Sequence, residues 1–164
     1  MTDGSQEPSP ASAMGAISNT YGRMVPFRSE RWHGGVMFTR RINPVVARLG
    51  ALGLPRPAAD QLSMAGTLVS LPAGTVLCRE GERGMQAFLL LEGTADVRLT
   101  DHVVTVGPGE VVGELATLDW TRTRNATVVA ATEVLVLVFD AGTYRSLARD
   151  EALRHRLAPE RAAA

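Results

Sequence analysis

From Gly66 to Phe139 the chain reads as strand pattern of period two, in runs of three to seven residues cut apart by glycine. Thr67-Leu68-Val69, Thr75 to Cys78, Ala87 to Leu91, Ala95 to Leu99 and Val103 to Val106 are such runs. Gly74, Gly81, Gly84, Gly93 and Gly107-Pro108-Gly109 stand between them. Asn125 to Ala131 and Val134 to Phe139 form a last pair, with Thr132-Glu133 at the bend. Alternation places one side of each run on an apolar face, and the runs are too short to be helices. Glycine supplies the backbone freedom that tight corners need. Short strands of this kind must cover their apolar faces with one another. The pattern predicts a mainly β fold of about eight strands, a double-sheet jelly roll or closed β-barrel.

Helical patterns flank this region on both sides. Asn43 is a natural N-cap and Pro44 a natural first helical residue. Val45, Val46, Leu49 and Leu52 then recur at helical spacing, and Gly50, Gly53 and Pro55 end the helix. Pro57 to Met64 reads as a second helical piece. After the strands, Asp140 is placed to cap a helix over Ala141 to Ala148. Leu147, Leu153 and Leu157 would form one face of a helix running across Asp150. The resulting organisation is an arm over residues 1–41, a domain over 42–158 and a tail over 159–164.

The arm divides in two. Met1 to about Gly22 is rich in Ser, Gly, Ala and Pro without period, a composition expected to be disordered until a partner orders it. Tyr21 to Arg41 interleaves Tyr21, Phe27, Trp32 and Phe38 with Arg23, Arg28, Arg31, Arg40 and Arg41. Arginine with aromatics suits a protein–protein hot spot, a single-strand nucleic-acid surface, or an arm folded back on its own domain. Of the two binding readings, a protein partner is preferred.

The 164 residues carry no net charge, so strong nucleic-acid binding does not follow from the charge balance. Met1 to Leu71 holds 7 Arg against 4 acids, and Pro72 to Ala164 holds 10 Arg against 13 acids. Every basic residue is arginine, which excludes a catalytic or Schiff-base lysine. Together with the abundant Ala, Gly and Val, this is the composition of a GC-rich genome such as an actinobacterium's. Cys78 is alone, so no internal disulfide framework exists, and its place in a strand predicts a buried, inert thiol. No apolar run approaches the roughly 18 residues of a membrane span, and no secretory signal is visible. The expected location is the cytoplasm. His33, His102 and His155 are scattered without metal-ligand spacing. No nucleophile motif or nucleotide-triphosphate loop is present. The expectation is a non-enzyme with no catalytic residues, no metal and no cofactor.

One segment carries chemistry. Val112-Gly113-Glu114-Leu115-Ala116-Thr117-Leu118 is followed by Arg124-Asn125-Ala126-Thr127-Val128. A glycine that frees the backbone can present successive N–H groups at the start of a short helix, which attracts an anion. Arginine offers a planar pair of donors that fits phosphate oxygens. A glutamate beside them can accept from a sugar hydroxyl. A single negative charge buried unpaired would cost more than folding stability can absorb, so a guanidinium is the group such a pocket needs.

This segment resembles the phosphate-binding cassette of the cyclic nucleotide-binding domain family, which includes protein kinase A regulatory subunits, the catabolite activator protein and cyclic-nucleotide-gated channels. Leu71 to Gly84, Phe88 to Val97 and Gly107 to Glu114 are similar to the strands that lead into that cassette. The resemblance covers roughly Val45 to Arg156. It implies that Glu114 accepts from a ribose 2′-hydroxyl and that Arg124 pairs with the exocyclic oxygens of a cyclic phosphate. Leu115 and Ala116 would present backbone N–H groups to that phosphate, and Gly113 would permit the turn. Asn125 and Ala126 follow the arginine, where the family commonly has Ala, Ser or Thr. Thr123 stands where the family often has proline, Trp120-Thr121-Arg122 enlarges the loop, and Arg122 is a competing phosphate partner.

The resemblance implies a sensor of cyclic AMP, with cyclic GMP the other ligand considered. Binding would be read out through the flanking helices and passed to a protein partner by the Tyr21–Arg41 arm, with or without homodimerisation. Too few residues follow the last strand for a helix-turn-helix, so no DNA-binding domain is expected. The alternative is a structural or adaptor subunit that uses the fold without a ligand. A third reading, nucleic-acid binding through the arm, would show steep salt dependence.

Overall fold

A computed structural model of the chain describes residues 43–119 and 121–157. The expected arm over residues 1–41, with its Tyr21–Arg41 contact surface, lies outside the described residues, as do Trp120 and the tail over 159–164.

Helix α1 (Pro44–Ala51) begins as its sequence requires: the Asn43 side chain accepts from the Val45 N–H at 3.0 Å. Helix α2 (Arg56–Ala65) follows after a glycine turn at Gly53, whose φ is +83°. Eight strands come next: β1 (Thr67–Leu71), β2 (Val76–Cys78), β3 (Gln86–Glu92), β4 (Ala95–Arg98), β5 (Val103–Val106), β6 (Val111–Val112), β7 (Thr127–Ala130) and β8 (Val134–Asp140). A short helix α3 (Glu114–Leu118) interrupts them between β6 and β7. Helices α4 (Ala141–Arg149) and α5 (Glu151–Leu157) end the described chain.

The strands form two four-stranded antiparallel sheets, in the orders β1-β8-β3-β6 and β2-β7-β4-β5. The result is a double-sheet sandwich; the closed barrel, the other form anticipated, is not formed. Two apolar clusters explain the packing. Phe88, Leu90, Val134 and Val136 point inward from the first sheet to meet Val106, Val128 and Ala130 of the second. Ala87, Leu89, Leu91, Leu137 and Phe139 point to the other face, where α1, α2, α4 and α5 cover them with Leu49, Leu62, Tyr144, Leu153 and Leu157. Strands β3 and β8 are therefore covered on both faces. This is why the five residues from Ala87 to Leu91 are apolar without alternation and all buried.

Two sequence expectations need correction. A single helix across Asp150 is not formed. Asp150 adopts an extended ψ of 124°, ends α4, and turns its carboxylate to the Ala152 N–H at 2.9 Å, starting α5. Leu147, Leu153 and Leu157 still enter one core, from two helices. Strand β7 also starts at Thr127, so Arg124 and Asn125 sit in the loop before it. Among the described residues, no helix is long and apolar enough to cross a membrane.

Candidate phosphate site

The chain enters the site through β6 and turns at Gly113, whose φ of +79° lies in the left-handed region that glycine tolerates and other residues resist. Helix α3 starts at once with Glu114. The Thr117 hydroxyl, fully buried, lies 2.8 Å from the Gly113 carbonyl and 3.1 Å from the Gln86 carbonyl, tying the helix to the first residue of β3.

Arg124 is brought to the same two carbonyls from the other side. Its backbone is pinned to the β2–β3 loop: the Arg124 N–H donates to the Glu82 carbonyl at 2.8 Å, and the Gly81 N–H donates to the Arg124 carbonyl at 2.8 Å. The side chain is buried. Nη2 donates to the Gln86 carbonyl at 2.6 Å, and Nη1 donates to the Gly113 carbonyl. Two of the five N–H groups of a guanidinium are engaged this way, by acceptors with no net charge. Two glycines make the space for it. A Cβ at Gly84 would stand 2.0 Å from Arg124 Cζ, and one at Gly113 would stand 2.4 Å from Nη1.

Gly113, Glu114, Leu115, Arg124, Asn125 and Ala126 line one cavity of about 470 Å³. That volume is in the range of small-molecule sites. Ala116 is buried beside them in α3 and does not line it. Arg122, the competing cation, is exposed, is not part of the lining, and pairs with Asp119 at 3.5 Å.

Sequence reasoning missed most of the rest of the wall. Val97 and Leu99 from the β4 side, and His102, Val104 and Val106 from the β5 side, form an aliphatic surface with one imidazole. In the sequence they read only as strand residues, and His102 only as a scattered histidine. The signal available was alternation: 97 and 99, and 102, 104 and 106, are same-face positions. Cys78 also lines the cavity. Burial pushes its thiol pKa up; the Arg124 charge opposes this and the Glu114 charge adds to it. The thiol therefore stays protonated at neutral pH, which is consistent with an inert cysteine. The thiol, the Glu114 carboxylate and the Arg124 guanidinium line the same cavity.

Known proteins resemble this chain over the same region. The family model for the cyclic nucleotide-binding domain matches residues 68–151, half of the chain. A cyclic nucleotide-gated potassium channel of Rhizobium etli is 44% identical over 77 residues, which is 47% of this chain and 21% of the channel. The Pycsar effector protein XpPycTIR of Xanthomonas perforans is 33% identical over 85 residues, 51% of this chain and 28% of the effector. The chain thus spans between a fifth and a third of these relatives. A solved structure of Sp-2Cl-cAMPS bound to PKAR CBD2 superposes with a TM-score of 0.57 at 25% identity, covering 68% of this chain and 78% of that one.

Proposed function

The chain belongs to the cyclic nucleotide-binding domain family, and from that premise we propose that its cavity takes a cyclic purine nucleotide, cyclic AMP in preference to cyclic GMP, as a regulatory signal. One observation carries the reading: a buried guanidinium, aimed by two backbone carbonyls and seated against two glycines, at the edge of a cavity whose other wall is aliphatic. The remaining N–H groups of Arg124 meet the cyclic phosphate in a dry site, where charge-assisted hydrogen bonds are strongest. The backbone N–H group of Leu115, in the first turn of α3 where helices leave such donors without intrahelical partners, adds to them. Glu114 accepts from the ribose 2′-hydroxyl. The purine lies on Val97, Leu99 and Val104.

The role proposed is that of a cytoplasmic, non-enzymatic sensor, in which binding itself makes and breaks no covalent bond. Its output passes through the helices that cover the first sheet, and from them to a protein partner at the Tyr21–Arg41 arm. The relatives support a cyclic nucleotide in this role: one is a cyclic nucleotide-gated potassium channel, and one solved structure is of Sp-2Cl-cAMPS bound to PKAR CBD2.

A second reading has one observation in its favour. Arg124 is already hydrogen-bonded by its own chain, as a purely structural arginine would be. Calorimetric titration with cyclic AMP and cyclic GMP separates the two. The sensor binds at least one of them, and Arg124→Lys, which keeps the charge but not the fork, weakens it by more than about tenfold. At 100 times its dissociation constant the ligand stabilises by about 2.7 kcal/mol, roughly 5–11 °C for a chain of this size. No heat and no thermal shift with either nucleotide would leave the adaptor.

A further inference from the structure

The hairpin between β4 and β5 turns on Thr100 and Asp101: the Leu99 N–H donates to the His102 carbonyl at 2.9 Å. Pairing then runs Arg98 with Val103, Val97 with Val104, Asp96 with Thr105 and Ala95 with Val106. Alternate residues of such a ribbon share a face. The face that carries Val97, Leu99, Val104 and Val106 is the cavity wall, and His102 is its outermost position. Exposure rises along it, from buried Val106 through half-buried Val104 to exposed His102. The imidazole is the polar group that this ribbon contributes to the cavity lining.

The neighbouring carboxylate decides what that group offers. His102 Nδ1 lies 2.6 Å from Asp101 Oδ1. An ionised carboxylate can only accept, so Nδ1 carries the hydrogen. In the neutral ring Nε2 is then left with its lone pair. The Asp101 carboxyl is held below its usual range by this same hydrogen bond, and so is ionised at neutral pH. His102 therefore presents an acceptor at the rim.

We propose that His102, fixed in this tautomer by Asp101, selects purines that carry an amine at carbon 6. The proposal rests on the reading of the cavity given above. Arg124, the aliphatic wall and His102 line one cavity, so in that reading a base laid along the wall turns its outer edge toward the hairpin tip. A 6-amino group donates to Nε2. A 6-carbonyl at the same place sets two lone pairs against each other, which is rejection as well as lost attraction. His102 is the specificity residue and Asp101 the positioning residue. The side chains of both are more than half exposed, so water competes and the discrimination is several-fold rather than absolute.

The test is a titration of the full chain at pH 8, above the ordinary imidazole range. Three cyclic nucleotides are compared: cyclic AMP, cyclic purine riboside monophosphate, where hydrogen replaces the amine, and cyclic inosine monophosphate, where a carbonyl replaces it. Wild-type protein should prefer cyclic AMP over the riboside by about 2- to 10-fold, the span of one net hydrogen bond, and over the inosine form by more. His102→Phe keeps a ring on the wall and should bring all three within about twofold, with cyclic AMP still bound. Asp101→Leu frees the ring to carry its hydrogen on Nε2 and should also reduce the preference for the amine. Nitrogen-15 spectra should show His102 protonated at Nδ1 in the wild type. A ranking that survives His102→Phe, or a wild-type ring protonated at Nε2, overturns the proposal while leaving the cavity reading intact. Failure of all three nucleotides to bind the wild type overturns the cavity reading and this assignment with it.

Discussion

Arg124 touches two glycines, and replacing each tests a different thing. Gly84 does not occupy the left-handed region, so its backbone accepts alanine, yet the new Cβ would fall 2.0 Å from both Cζ and Nε of Arg124. The obstacle is the far end of a flexible side chain, so the fold can yield by swinging the guanidinium away from the Gly113 and Gln86 carbonyls. Gly84→Ala should therefore cost no more than about 2 kcal/mol in chemical denaturation, while nucleotide affinity falls by more than about tenfold, as losing one charge-assisted bond requires. Affinity equal to wild type in titration would show that this placement of Arg124 is not what holds the ligand. Gly113→Ala adds a backbone penalty of about 1–2 kcal/mol from its positive φ and meets Cys78 Sγ at 3.1 Å as well. It should lose stability and binding together. The chemistry of Glu114 and Arg124 was legible in the chain because few side chains can serve an anion and a sugar, and they lie close in sequence. Gly84, Thr117 and the Gln86 carbonyl were not. Every residue has a carbonyl, and only the fold brings that of Gln86, 38 positions away, to Arg124.

Helix starts are a local affair, and the sequence shows it. Asn43 and Asp140 each cap the helix that follows, because a short polar side chain can reach an N–H two or three residues ahead without help from the rest of the fold. Asp140 accepts from the Thr143 N–H at 3.0 Å and from its hydroxyl at 2.6 Å. Those bonds hold its carboxyl below the usual range. The folded pKa is thus lower than the unfolded one, so the stabilisation is present above the unfolded pKa of about 3.9 and is lost as pH falls through the folded value. Asp119, bonded by Thr121, titrates in the same direction. Acid unfolding followed by circular dichroism should therefore show a loss of stability beginning as pH drops below about 5. Asp140→Asn, which can still cap but cannot be protonated, should shallow that loss; an unchanged acid limb would remove Asp140 from its causes. The elements that escaped the sequence reading are those that contacts define. Strand β6 is two residues long and exists because Phe88 and Leu89 of β3 pair with it. The break at Asp150 was hidden because Leu147, Leu153 and Leu157 keep an apolar rhythm across it. Whether strands this short curl into a barrel or split into two sheets is decided by pairing partners, which periodicity does not specify.

At the scale of the whole molecule, the first sheet stands between two cores, and the cassette touches both. Arg124 and Val112 face the space between the sheets, while Leu118 packs with the helices on the outer side. Tyr144 anchors the helix-side core. It is fully buried in α4, its hydroxyl donates to the Leu157 carbonyl at the end of α5, and its ring meets Phe139 with centroids 6.3 Å apart. Burial pushes its pKa up, and the Glu114 carboxylate pushes it the same way, so a charge in the site is felt by the residue that fastens the terminal helix. The alkaline limb of stability tests the burial of that hydroxyl. The folded pKa of Tyr144 is raised, so its contribution is complete below the unfolded tyrosine value of about 10. It is lost as pH rises beyond that, because the unfolded chain releases the proton and the folded one keeps it. Tyr144→Phe keeps the ring and leaves the Leu157 carbonyl without its donor, a loss of about 1–2 kcal/mol at pH 7. The variant has no such group to titrate. Urea unfolding of the two proteins at pH 7, 9, 10 and 11 (about one unit either side of the free phenol) should show that gap narrowing above pH 9 as the wild type weakens. A gap that stays constant to pH 11 would mean that Tyr144 keeps no proton the unfolded chain gives up.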